Sequence, residues 1–109
     1  MELAFASAEL RSICESRRKA TAVLGLQAAL ELEQRLADLA ALATVAELDA
    51  LFPAAVIEHS SAERSIRLEA RYSLVFCAGH VEVPRTSSGA TDWAKVSRIK
   101  ITALEATNG

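Results

Sequence analysis

The sequence predicts an α+β fold, with two to three N-terminal helices packed on one face of a small, mainly antiparallel sheet. Three observations carry this. From Arg64 to Phe76 apolar and polar residues alternate with a period of two; between Ser7 and Phe52 they recur at three- and four-residue spacing instead; and the two patterns occupy opposite halves of one 109-residue chain. In the first pattern Ile66 and Leu68 fall on one side of a strand, with Ser65, Arg67 and Glu69 on the other. After a reversal at Ala70-Arg71, Tyr72, Leu74 and Phe76 alternate with Ser73, Val75 and Cys77. A lone hairpin of this length is not stable in water, so the helices must cover its apolar face.

Taken in order, Glu2 to Ala6 reads as a first strand with Leu3 and Phe5 inward. Ser7 is a helix N-cap, Glu9 complements the dipole, and Leu10, Ile13 and Cys14 form one apolar face that ends in the basic cluster Arg17-Arg18-Lys19. Thr21 caps a longer helix to about Leu42, whose polar arc is Gln27, Glu31, Gln34, Arg35 and Asp38. Its apolar remainder is so wide that cover is expected on more than one side, with Glu33 as the exception inside it. Thr44 and Glu47 have capping-box spacing for a short helix carrying Leu48, Leu51 and Phe52, stopped by Pro53. Ala54 to Glu58 is a strand, and His59 to Ala62 a polar connection into the hairpin. Val81 and Val83 extend the hairpin's second strand before a long loop, and Val96 to Leu104 is the last strand, with Ile99, Ile101 and Ala103 inward. Leu30, Leu36, Ile66, Leu74, Phe76 and Ile101 are the expected core.

One domain spanning residues 1–109 is the natural division, because a chain of this size buries enough surface to fold without disulfides or metal. Cys14 and Cys77 read as buried free thiols, which suits the cytoplasm. No apolar run approaches a membrane span, and residue 2 is an acid rather than part of a basic leader. The net charge is −2, yet Arg64 to Lys100 holds seven basic against three acidic residues. An anion-binding surface therefore belongs to the sheet half.

Phosphate-loop, metal-spacing and nucleophile-elbow motifs are absent, and no cofactor is expected. His59 and His80 fall in loops, and Trp93 reads as the anchor of its loop on the core. What remains is a row of cations, Arg64, Arg67, Arg71, Arg98 and Lys100, on strands expected to be neighbours. Such a row binds phosphate and stabilises charge on a transferring phosphoryl group without a metal. Arg67, Arg71, Arg98 and Lys100 are the candidates for RNA binding. Arg64, Arg67 and Tyr72 are the catalytic candidates, with His59 in reserve for proton transfer.

Several segments carry a family resemblance: Leu10-Arg11-x-x-Cys14; Leu36-Ala37-Asp38-Leu39 followed by Thr44-Val45-x-x-Leu48; Ser65-Ile66-x-Leu68 with Tyr72-x-Leu74-Val75-Phe76; and Val83-Pro84, Gly89, Asp92-Trp93-x-x-Val96 and Ile99-x-Ile101. Together they resemble the HigB branch of the RelE toxin superfamily, the plasmid-maintenance killer proteins, over nearly the whole chain. The resemblance implies a RelE-like fold and a type II toxin–antitoxin setting. In that setting a metal-independent endoribonuclease cuts mRNA in the ribosomal A site unless a helix-turn-helix type antitoxin is bound. A homodimer is a further partner the reading allows. This chain departs from the family where the chemistry sits. It has Ser60-Ser61-Ala62 in place of a basic loop, Ser73 in place of an arginine, and Glu105-Ala106-Thr107-Asn108-Gly109 in place of an Asp-Tyr-His ending. The active site is thus expected to be degenerate, and the second reading is a catalytically silent protein-binding or co-repressing module.

Overall fold

The computed structural model describes residues 1–107; the Asn108-Gly109 end of the departing C-terminus lies outside the described residues. In chain order the elements are β1 (Glu2–Phe5), α1 (Ala8–Glu15), α2 (Arg17–Leu24), α3 (Leu26–Ala41), α4 (Val45–Leu51), β2 (Val56–Glu58), β3 (Glu63–Arg67), β4 (Tyr72–Ala78), a 3-10 turn (Trp93–Lys95) and β5 (Arg98–Ala106). The five strands form one open sheet in the order β1-β5-β4-β3-β2. β1 runs parallel to β5, and every other pairing is antiparallel. A parallel pair cannot be closed by a hairpin, and here the whole helical layer forms part of the connection.

Four helices stand where two to three were expected, because two junctions break the pattern. Ser7 caps α1 as predicted, accepting from the Leu10 amide at 3.1 Å. Ser16 then turns extended, ends α1 at Glu15, and caps α2 by accepting from Lys19 N at 3.2 Å. Arg17-Arg18-Lys19 therefore opens a helix rather than closing one. The mismatch with the helix dipole is offset by the fork of Arg17 on Glu33 of α3, at 2.8 and 2.7 Å. These hydrogen bonds hold the Glu33 carboxyl below its ordinary range. They also explain the acid in the apolar arc. Gly25, at φ 91°, breaks the predicted Thr21–Leu42 helix in two, since side-chain-bearing residues rarely adopt that conformation. Thr21 lies inside α2, its hydroxyl donating to Arg17 O at 2.7 Å, and is not a cap.

Ala28, Ala29, Leu32 and Leu39 are the buried side of α3, while Leu26 and Leu30 are exposed, Leu30 by 44%. The expected core position of Leu30 is thereby corrected, and Leu36 packs at the core's margin. At α4 Thr44 takes the N-cap conformation without a side-chain bond, and Glu47 reaches back to the Ala43 amide at 3.0 Å. The helix ends at Leu51, before Pro53; Leu48 is buried and Leu51 exposed.

Leu74, Phe76, Ile99 and Ile101 are fully buried with Leu39, Val45 and Leu48. Trp93 anchors its loop edge-on against Phe76, with ring centres 6.2 Å apart. β4 ends at Ala78, so Val81 and Val83 do not extend it, and Val81 is fully exposed. Between Val75 and Phe76 the ladder shifts: Phe76 pairs with Ile101 but Val75 with Ala103, which leaves Thr102 as the extra residue of a β-bulge. Past the bulge the sides exchange. Leu104 packs on the core, and Ala103, expected inward, pairs with outward Val75.

Candidate functional site

Helices cover one face of the sheet, and strand register decides what the other presents. Arg67 of β3 stands opposite Ser73, which stands opposite Glu105. Two rows further along, Glu63, Cys77, Lys100 and Ala4 are successive neighbours across four strands. Arg98 pairs with Glu2, its Nε 3.2 Å from Oε2. Arg67, Arg98 and Lys100 thus share the helix-free face, as the alternation predicts. Arg67 and Lys100 make no ion pair among the described residues, and strand spacing sets them about 16 Å apart.

His59 joins them. It begins the loop after β2, and its Nε2 lies 2.8 Å from Ser65 Oγ, the serine itself being 1% exposed. Ser65 is two residues from Arg67 on the same face, so the imidazole is held beside that arginine's row. Ser65 is a residue that sequence reasoning passed over. The signal was available, because the same alternation that selects Arg67 selects Ser65.

The other catalytic candidates are not brought to this face. Arg64 alternates with Arg67's side of β3 and turns toward the helices. Its side chain is 13% exposed, bound to Asp49 Oδ2 at 2.6 Å, 4.0 Å from Glu58 and 4.6 Å above the Trp93 ring. It pins α4, β2 and the Trp93 turn together. Tyr72 lines a cavity of about 440 Å³ with Leu10, Ile13, Leu24 and Leu104, on the helical side. Arg71 sits at the hairpin tip in the left-handed region, φ 68°, as the last of the three residues between Leu68 and Tyr72. His80 is not at the site; its Nε2 accepts from the amides of Ser97 and Arg98 at 3.0 and 3.3 Å, tying the loop to β5.

The open face is mixed in charge, with Glu2, Glu63 and Glu105 among its cations. Neither free cysteine is paired, and no group of three or more His, Cys, Asp and Glu with metal-holding geometry occurs among the described residues. No helix among them is long and apolar enough to cross a membrane. Comparison with protein families, curated proteins and solved structures finds no match to this chain.

Proposed function

We propose that this chain is the toxin-like component of a type II toxin–antitoxin pair, a RelE-like scaffold of the HigB kind with a weakened ribosome-dependent endoribonuclease site. The observation that supports it is the register placing Arg67, Arg98, Lys100 and the His59–Ser65 pair on one helix-free face. In such a reaction the ribose 2′-oxygen bonds to the adjacent phosphorus as the 5′-oxygen leaves. The step needs a base for the 2′-proton and cations for the phosphoryl oxygens. In the tautomer that donates Nε2–H to Ser65 Oγ, Nδ1 of His59 is left free to accept the proton, and Arg67 is the nearest cation of β3 on the same face. In place of the family's Asp-Tyr-His ending this chain has Glu105-Ala106-Thr107, which offers neither the tyrosine nor the histidine of that ending to the leaving oxygen. Loss of one such partner typically forfeits about 10²–10⁴-fold in rate.

Expression without an antitoxin tests this reading: weak growth arrest with slow A-site cleavage, lost in His59→Ala, is expected. Arrest and cleavage as fast in His59→Ala as in the parent chain would remove the assignment.

One observation favours the second reading, a silent protein-binding or co-repressing module. Three carboxylates share the face with three cations, and Arg98 is engaged by Glu2. A polyanion is repelled by such a surface more than a folded partner is. Absence of any cleavage, with stable capture of a helix-turn-helix protein encoded beside it, is the outcome that selects this reading.

A further inference from the structure

The pair of helices α2 and α3 carries an apolar surface that the rest of the chain leaves uncovered. α2 buries only Ala20, and Val23 on α2 with Leu26 and Leu30 on α3 are three of the five large apolar side chains exposed among the described residues. The other two, Leu51 at the end of α4 and Val81 in the loop after β4, stand singly, as scattered surface residues do. Val23 also lines the cavity of about 440 Å³ between α1, α2 and β5, together with Leu10, Ile13, Leu24 and Leu104. The cover that so wide an apolar segment calls for on a second side is therefore missing here.

The charges beside this patch are set out along α2 with opposite signs at its two ends. Near its start Lys19 Nζ donates to Ser12 Oγ of α1 at 2.9 Å, next to the exposed Arg18. Near its end Glu9 of α1 shares the cavity wall with Val23 and Leu24. Arg18 and Glu9 are both exposed, and neither makes an ion pair among the described residues. From Arg18 to Val23 the helix rises roughly 8 Å. Ala22, small and exposed, lies in that interval and permits close approach.

We infer that a second copy of this chain docks on this face, with the two α2 helices antiparallel about a two-fold axis near Ala22. In a two-fold interface residue i meets j and j meets i. The antiparallel arrangement lays the Arg18 end of each α2 on the Glu9 end of the other, so the opposite charges meet twice. It also gathers Val23, Leu26 and Leu30 of both copies around the small alanine. A parallel arrangement sets Glu9 on Glu9 and Arg18 on Arg18, which like charges oppose. Burial of the apolar patch drives the association, and the charges fix its register. The surface belongs to the helical layer, so the inference stands independently of the nuclease reading of the open sheet face.

Sedimentation equilibrium of the intact chain from about 1 μM to about 1 mM tests it. A monomer–dimer equilibrium is expected, and Leu26→Glu should leave only monomer over the same range, with thermal melting as the check that this surface variant folds. Glu9→Arg and Arg18→Glu should each weaken the dimer by roughly 10-fold or more, since each turns both attractive contacts into repulsive ones. Mixed in equal amounts, the two single variants should form a heterodimer of parental strength, because every contact then joins opposite charges again. The doubly substituted chain should likewise dimerise as the parent does. A parent chain that is monomeric at the highest concentration overturns the inference and leaves the patch to a different protein. A dimer indifferent to Leu26→Glu places the contact on another surface and overturns it too. Failure of the mixed single variants to recover association, with both folded, overturns the antiparallel two-fold arrangement.

Discussion

Arg64 and Asp49 meet at 2.6 Å across the boundary between β3 and α4, with the arginine nearly buried and the aspartate 43% exposed. That asymmetry makes the pair's two halves unequal. Asp49→Ala leaves a desolvated guanidinium with Glu58 at 4.0 Å as its remaining acid, and should cost about 1–3 kcal/mol. Arg64→Met keeps an apolar stem against Trp93 and leaves an aspartate that water reaches, so it should cost about 1 kcal/mol or less. Chemical denaturation of both variants checks the order. An Arg64→Met loss larger than that of Asp49→Ala would show that the guanidinium's stacking on Trp93 outweighs its ion pair.

Leu74 and Leu30 separate the two kinds of leucine that hydropathy alone treats alike. Leu74 is fully buried between helices and sheet, whereas Leu30 is 44% exposed. Leu74→Ala should cost about 2–5 kcal/mol as a core truncation, and Leu30→Ala no more than about 0.5 kcal/mol as a surface change. Denaturation midpoints with unchanged slopes provide the measurement.

Why one leucine was legible and the other was not is a matter of range. The alternation of Ile66, Leu68, Leu74 and Phe76 is local, and a strand's pleat turns it directly into faces, so the hairpin and the outward placing of Arg67 and Lys100 could be read from sequence. The helix from Thr21 to Leu42 could not be read so well. A single glycine costs a helix only about 1 kcal/mol, and nothing beside Gly25 announces that the chain reverses there into an antiparallel pair closed by Arg17 and Glu33. The Thr102 bulge is equally silent, because an extra residue leaves the composition of β5 unchanged while inverting Ala103 and Leu104. Arg64 was grouped with the other cations by charge. Its two-residue spacing from Ile66 put it on the same, helical side of the strand, where Asp49 neutralises it from fifteen residues away.

Cys14 gives the fold an alkaline signature. Burial, and after it the neighbouring Glu15, pushes the thiol from 9.0 up to about 11. Between those two values the unfolded chain has released the proton and the folded chain has kept it, so stability is full below about pH 9 and declines as pH rises toward 11. Denaturation midpoints of the parent chain should fall across that window more than those of Cys14→Ala, each taken relative to its own value at pH 8. Alkylation of Cys14 at pH 8 should be slow, since the thiolate is the nucleophile.

The cations of the sheet differ in how free they are, and salt dependence reads that difference. Among the described residues Arg67 and Lys100 stand on the open face without an acid bound to them, Arg98 is held by Glu2 at 3.2 Å, and Arg64 is turned to the other side against Asp49. If single-stranded RNA lies on this face, each free cation it engages contributes about 0.7 to the slope of log affinity against log salt. Arg67→Ala and Lys100→Ala should each lower that slope by about this amount, and the double variant by about twice it. Arg98→Ala should lower it less, because Glu2 already neutralises that guanidinium, and Arg64→Met should not change it. Fluorescence titration of a short RNA at several salt concentrations measures the parent chain and all five variants. A slope indifferent to Arg67 and Lys100 but reduced by Arg64→Met would place the nucleic acid on the helical side and refute the open-face assignment.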